Sequence, residues 1–70
     1  MTGLIKRSFS LAGHRTSVAL EEPFWSALVE IADSRGLTLS ALVAGIDAER
    51  EPDQPLASAL RLAALAAFRT

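Results

Sequence analysis

Arg15 and Ser17 are the residues of this 70-residue chain whose types and spacing are best suited to molecular recognition. They lie two positions apart in the alternating segment 14–22, and successive side chains of an extended chain point to opposite faces. A guanidinium and a hydroxyl therefore project together, with Ala19 on the same face. The face opposite them consists of Thr16, Val18 and Leu20.

That segment must be paired, because a lone strand leaves its backbone donors and acceptors unsatisfied. Helical sequence follows it, so its partner is either the preceding chain or a second copy of the molecule. Two antiparallel copies would close their apolar faces over the helices, and the resulting two-stranded ribbon fits the major groove of DNA. We therefore predict a mainly α protein with one short strand, forming an intertwined dimer. Its antiparallel two-stranded ribbon is intermolecular, and a third, C-terminal helix follows.

Residues 1–13 are predicted to form an N-terminal arm or an extra strand. Their second half alternates, and one face carries Arg7, Phe9 and Leu11. Phe9 and Leu11 favour partial strand character because they require burial, and Gly13 provides the backbone freedom that a turn needs. A flexible basic arm is the alternative.

The composition predicts association between chains. Half of the residues are hydrophobic, yet a chain this short needs disulfides, a metal or a partner chain to be stable. The absence of cysteine excludes disulfides, and the single histidine, His14, argues against a structural zinc site. We expect an obligate homo-oligomer that holds no metal and no cofactor.

A cytoplasmic location is expected. The lack of cysteine is compatible with a reducing compartment, and residues 1–7 lack the order of basic region, apolar region and cleavage site of a secretory signal. The longest apolar run, 62–68, is much shorter than the about 20 residues that span a bilayer.

The positive charges near the amino terminus are clustered, although the chain is nearly neutral. A net charge of −1 argues against a nucleic-acid binder that is indifferent to sequence, which normally carries a basic excess. The basic residues that precede Glu21, the first acid, are Lys6, Arg7, His14 and Arg15. This cluster either aids solubility or forms the electrostatic footprint of a binding surface.

Three helices are predicted after the strand. Pro23 begins the first helix, because proline is tolerated in the first turn, and Gly36 ends it as a left-handed cap. Thr38 is the predicted N-cap of the second helix, which fades near Arg50. Gly45 lies within that helix at a cost of about 1 kcal/mol, which predicts the close approach of another helix.

These elements divide the chain into a core over residues 14–50, a linker over 51–55 and a C-terminal apolar helix within 56–70. The last helix, Leu56 to Arg69, is apolar nearly all round. It is therefore buried, or buried on both sides in an assembly. A position on a membrane surface is the weaker alternative, because the helix has few cations.

In this order of elements, the chain resembles the ribbon-helix-helix family of dimeric DNA-binding repressors. It is most similar to a bacterial branch that joins an Ala-Gly-His-Arg-Thr-Ser strand, here residues 12–17, to a Glu-Glu-Pro-Phe-Trp helix start, here 21–25. Arg-Gly-Leu-Thr-Leu-Ser at 35–40 and Leu-Ala-Ser-Ala-Leu-Arg at 56–61 continue the resemblance. It covers roughly residues 6–66.

The resemblance implies that the outward strand positions contact base edges. Arg15 can donate two hydrogen bonds to O6 and N7 of a guanine, and Ser17 can donate to or accept from either base. Ala19 departs from the polar residue usual at its position and can at most touch a thymine methyl group. The alternative for Arg15 is a solvated strand residue paired with a nearby acid.

The family also holds the DNA backbone on the amino end of its second helix, where amides are free and the dipole is positive. The expected phosphate contacts in this chain are Thr38, Leu39, Ser40, Lys6, Arg7 and His14. The hydroxyls of Thr38 and Ser40 can instead serve only as helix caps. The implied partner is double-stranded DNA.

A homodimer is implied as well, possibly a tetramer through Leu56–Phe68. The expected dimer core is Thr16, Val18, Leu20, Trp25, Leu28, Leu42 and Ile46. Trp25 is expected in this core rather than as a stacking platform for a nucleobase.

Two functions remain open. The first is a sequence-specific DNA-binding protein, a transcriptional regulator that inserts a dimeric β-ribbon into the major groove. The second is a protein-interaction or assembly module of the same fold that does not bind DNA, such as an antitoxin-like or oligomerisation domain. An enzyme is not expected, because no phosphate-cradling loop and no nucleophile with its base occur in the sequence.

Overall fold

Two antiparallel strands followed by three helices make up the fold, which the computed structural model describes over residues 3–67. In chain order the elements are β1 (Leu4–Leu11), β2 (His14–Glu21), α1 (Glu22–Ser34), α2 (Leu39–Glu49) and α3 (Leu56–Ala67). The first two residues of the predicted N-terminal segment and the last three of the predicted C-terminal segment lie outside the described residues.

The strands form a hairpin with a two-residue turn. Leu11 lies opposite His14, and Ala12 and Gly13 connect them with φ angles of 51° and 83°. Positive φ at both central positions is typical of a type I′ turn, whose twist matches that of the flanking strands. Glycine adopts this conformation without strain, whereas alanine does so at a cost.

The prediction of one strand and an intermolecular ribbon is wrong, because β2 pairs with β1 of the same chain. Phe9 and Leu11 on β1 are each 5% exposed and belong to the same core as Val18 and Leu20 on β2. The first strand thus supplies the apolar cover that the prediction assigned to a second chain. Closing a two-residue loop also costs far less entropy than bringing two molecules together.

Trp25 lies at the centre of the core and joins α1 to β1. Its side chain is 1% exposed, and its ring centroid lies 5.9 Å from that of Phe9. The indole Nε1 donates a hydrogen bond of 2.8 Å to the carbonyl oxygen of Ile5. The burial of the ring therefore leaves no polar atom unsatisfied.

A glycine cap separates α1 from α2. The amide of Leu37 donates to the carbonyl of Ala32 at 2.8 Å, and that of Gly36 donates to Asp33 at 3.1 Å. With Gly36 at a φ of 69°, this is the Schellman arrangement. The predicted left-handed cap is confirmed.

The third helix completes the core of the single chain. α3 packs against α1, α2 and β2, and it buries Ala59, Leu60 and Ala64. Arg61 donates from Nε and Nη2 to Oε1 of Glu21, at 3.1 and 3.0 Å. Within residues 3–67, no helix has the length and apolar character needed to cross a membrane.

Gly45, within α2, has no close helical neighbour in the described part of the chain. A Cβ atom added there would meet nothing within 4 Å. The prediction that another helix approaches Gly45 is therefore wrong for the helices of this chain.

Candidate nucleic-acid interface

The hairpin has two chemically different faces, and the one directed away from the helices is polar. We call it the outer face and define it by three cross-strand pairs. The pairs are Lys6 opposite Ala19, Ser8 opposite Ser17, and Ser10 opposite Arg15. Ala19 is half-buried and the other five side chains are exposed. No element within residues 3–67 covers this face.

Side-chain hydrogen bonds cross the outer face from strand to strand. The hydroxyls of Ser8 and Ser17 lie 3.0 Å apart, and Nη1 of Arg15 donates to Oγ of Ser10 at 3.4 Å. Among residues 3–67, no carboxylate forms a salt bridge with Arg15, since the ion pairs there join Arg50 to Asp47 and Arg61 to Glu21. The guanidinium of Arg15 is thus not occupied by an acid.

Lys6 and Arg7 are neighbours in sequence but lie on opposite faces of the hairpin. Lys6 is on the outer face, whereas Arg7 lies opposite Val18 and stacks over Trp25, its Cζ atom 5.3 Å from the ring centroid. His14 is exposed beside the turn. The basic side chains that were predicted to contact phosphates are therefore not gathered on one surface.

The amino end of α2 forms a separate feature. The hydroxyl of Thr38 accepts a hydrogen bond of 3.0 Å from the amide of Ala41, so it acts as the helix cap. The first backbone bond of the helix runs from the amide of Leu42 to the carbonyl of Thr38. The amides of Leu39 and Ser40 precede that bond and are available to an anion, since the first amides of a helix have no intrahelical acceptor.

The residues predicted for the dimer core are mostly buried within one chain. Leu20 and Leu28 are fully buried, and Val18, Trp25 and Leu42 are at most 5% exposed. Ile46 and Thr16 are partly buried. Their part in a dimer stays a prediction.

Sequence reasoning missed the contribution of β1 to the outer face. Ser8 and Ser10 alternate with Arg7, Phe9 and Leu11, and that alternation is the signal that could have identified them. It also missed the pair between Glu21 and Arg61, because the two residues are forty positions apart.

The Glu21 carboxylate is stabilised in its charged form. A hydrogen bond from its own backbone amide and then those from Arg61 lower the pKa of Glu21 below its ordinary value of 4.5, against the opposing effect of burial. The guanidinium of Arg61 also lies 5.6 Å from the ring centroid of Phe24. These contacts join α3 to the point where β2 passes into α1.

Among the described residues, no three histidine, aspartate or glutamate side chains come together in a way that could hold a metal ion. The outer face is the candidate site for a macromolecular partner because its polar side chains are exposed and offer hydrogen-bonding groups.

Comparison with known proteins gives a match to one family. The model of the ribbon-helix-helix domain matches residues 4–68, nearly the whole chain. No curated protein and no solved structure matches the chain significantly.

Proposed function

Because the chain belongs to the ribbon-helix-helix domain family, as its sequence predicted, we propose that it is a sequence-specific DNA-binding protein and a transcriptional regulator, acting as a repressor. Domains of this family generally bind DNA as transcription regulators, are typically dimeric and are typically not enzymes. In this proposal the protein is bacterial and cytoplasmic, forms a homodimer and binds double-stranded DNA.

The observation that carries the proposal is the exposed polar outer face of the hairpin. A two-stranded antiparallel ribbon has dimensions that the major groove, about 12 Å wide, accommodates. Arg15 and Ser17 project from this face without an acidic partner among residues 3–67. Arg15 then contacts a guanine through two hydrogen bonds, Ser17 contacts either base, and Ala19 contacts a thymine methyl group.

Phosphate contacts position the ribbon in this proposal. The amides of Leu39 and Ser40, beside the capping residue Thr38, hold one phosphate at the amino end of α2. The exposed side chain of Lys6 adds positive charge near the hairpin, and the exposed ring of His14 can donate a hydrogen bond to a phosphate. Arg7 would have to leave the ring of Trp25 to reach the backbone, so its contribution is the smallest.

Selection of bound DNA from a random pool tests the proposal, with the wild type and Arg15→Ala compared side by side. We expect the wild type to enrich one motif, and log K to fall by about 0.9 per log unit of salt for each phosphate neutralised. Arg15→Ala should stay folded and lose discrimination. Arg15→Lys is the matched control, because it keeps the charge but not the paired donors. Absence of binding by the wild type at low salt contradicts the proposal.

Assembly through α3 is the second candidate function. Leu62 and Leu65 are 55% and 52% exposed on a helix that buries Ala59, Leu60 and Ala64 in the core. A groove among α1, α2 and α3 has a mainly apolar lining, with Arg35 and Glu49 also contributing to it. Ile46, Ala63 and Ala66 help to line that groove. Two exposed leucines on one helix form an apolar surface that a second copy could contact symmetrically. Leu56–Phe68 is the segment proposed for a tetramer.

Deleting the segment would not test assembly, because Leu60 and Ala64 belong to the core of the chain. The double variant Leu62→Gln, Leu65→Gln keeps the core, and Leu4→Gln changes a leucine of β1 that is equally exposed, at 57%. Assembly predicts that the oligomer mass by light scattering falls only for the double variant. An unchanged mass contradicts the role of α3. If the double variant loses mass and the wild type binds no DNA, the assembly module is favoured.

A further inference from the structure

We infer that β1 contacts DNA bases as β2 does, so that Lys6, Ser8 and Ser10 determine specificity together with Arg15 and Ser17. This inference rests on the proposed function and goes beyond it. The single-strand prediction placed all base contacts on β2. The intrachain hairpin instead gives one molecule a complete ribbon with two rows of different side chains.

Lys6 supplies the donor that Ala19 lacks. The two residues lie directly opposite each other, and side chains at such positions are about 5 Å apart at Cβ. Ala19 is too short to offer a hydrogen bond, whereas the Lys6 ammonium is exposed and can donate to O6 and N7 of a guanine. This end of the ribbon therefore has a hydrogen-bonding residue, carried by the strand that was not expected to contact bases.

The pair of Ser8 and Ser17 acts as one unit at the middle of the face. Each hydroxyl has one hydrogen to donate and two lone pairs, and one hydrogen is used in the 3.0 Å contact between them. One donor and several acceptors remain directed to the exterior. Because the contact joins the two hydroxyls, replacing Ser8 also releases the orientation of Ser17.

Ser10 positions Arg15 near the turn. Its Oγ atom accepts a long hydrogen bond of 3.4 Å from Nη1 of Arg15. Because Ser10 lies on the opposite strand, this bond orients the guanidinium across the ribbon. A two-point contact with guanine requires a defined orientation of the donor plane. Ser10 is thus a positioning residue for Arg15.

The two cations lie at opposite ends of the outer face. Lys6 and Ser10 are four positions apart along β1, which is about 14 Å at about 3.4 Å per residue. Bases along one DNA strand are about 3.4 Å apart, so the face spans about four base pairs. Since the two rows differ, one ribbon should select an element that is not a palindrome.

Selections from a random pool test the inference with the full chain. The variants are Lys6→Ala, Ser8→Ala, Ser10→Ala and Arg15→Ala. Ser34→Ala on α1 is the control for loss of a hydroxyl, and Arg50→Ala at the end of α2 is the control for loss of a charge. Ser8→Thr and Ser10→Thr restore the hydroxyl on a residue that strands favour.

We expect Lys6→Ala to relax base preference at one end of the motif by about tenfold or more, about four base pairs from the position relaxed by Arg15→Ala. Ser8→Ala should relax the base preference at the middle of the motif. Ser10→Ala should weaken preference a few-fold at the Arg15 position itself. The threonine variants should recover these preferences, and the two controls should leave the motif unchanged.

Two results overturn the inference while the proposed function stands. One is an unchanged motif in all three β1 variants when Arg15→Ala relaxes it. The other is a uniform loss of affinity in Lys6→Ala with a salt slope shallower by about 0.9, which identifies a phosphate contact. A wild type that enriches no motif at low salt overturns the proposed function and the inference together.

Discussion

The inner and outer faces of the hairpin are built from alternating residues of the same two strands, yet they differ in almost every physical property. On the inner face, Phe9 and Val18 are each 5% exposed and pack with Trp25 in the core. On the outer face, Ser8 and Ser17 are exposed, and their hydroxyls form a hydrogen bond with each other. Changes one position apart in the chain should therefore separate stability from recognition.

The largest expected effect comes from the inner face. Leu20→Ala removes a fully buried side chain and should lower the free energy of unfolding by about 2–5 kcal/mol. Ser17→Ala, on the outer face of the same strand, should change it by no more than about 0.5 kcal/mol. Urea denaturation followed by circular dichroism measures both. Equal losses would show that the two faces do not differ in this way.

The next largest effect is expected from the turn that sets the register of the hairpin. Ala12 adopts a φ of 51°, where asparagine is tolerated better than alanine, and Asn-Gly is the preferred type I′ sequence. Ala12→Asn should raise the free energy of unfolding by about 0.5–1 kcal/mol, and the β-branched Ala12→Val should lower it. Thermal and urea unfolding test this pair. If both substitutions changed the free energy of unfolding in the same direction, the result would argue against a type I′ turn at Ala12.

Lys6 and Arg7 give the sharpest contrast between neighbouring residues. Arg7→Ala loses the contact with the Trp25 ring and should cost about 0.5–1 kcal/mol of stability. It should leave the DNA motif unchanged, whereas Lys6→Ala should alter the motif with little effect on unfolding. Urea denaturation and DNA selection on both variants provide the comparison. The reverse pattern would mean that the faces have been assigned the wrong way round.

The smallest effect concerns pH and the end of β2. A carboxyl group whose pKa is lowered by folding, as that of Glu21 is, stabilises the fold above its ordinary pKa of 4.5. That contribution is lost as the pH falls through the lower folded value. The difference in unfolding free energy between the wild type and Glu21→Gln should therefore shrink on acidification below pH 4.5. Parallel stability curves would contradict a role for the contacts of Glu21.

Much of the chain could be predicted because its signals are local. Pro23, Gly36 and Thr38 mark helix boundaries through their own backbone preferences. The structure begins α1 at Glu22, one residue before Pro23, and it has a glycine cap at Gly36 and a threonine cap at Thr38. The family was predicted from the order of these elements and is confirmed. Alternation also placed Arg15 and Val18 on opposite faces of the strand. This assignment does not depend on the partner with which the strand pairs, because successive side chains of any strand point to opposite faces.

The partner of β2 could not be predicted from the same signals. The alternation of Phe9 and Leu11 is compatible with an added strand, but periodicity does not say which chain a strand joins. The choice depends on whether Ala12 accepts a left-handed conformation, at a cost that only the packing of the whole hairpin offsets. The prediction that another helix approaches Gly45 was wrong for a similar reason, because a helical glycine permits a close contact without requiring one.

The amino-acid sequence by itself determined the family, the helix boundaries and the faces on which Arg15 and Ser17 lie, because these follow from backbone preference and from the two-residue period of a strand. Only the tertiary structure decided that the ribbon is complete within one chain, with Lys6, Ser8 and Ser10 beside Arg15 and Ser17. The physical reason is that strand pairing depends on the free energy of distant contacts. Burial of Phe9 and Leu11 against Trp25 is such a contribution, and no local pattern contains it.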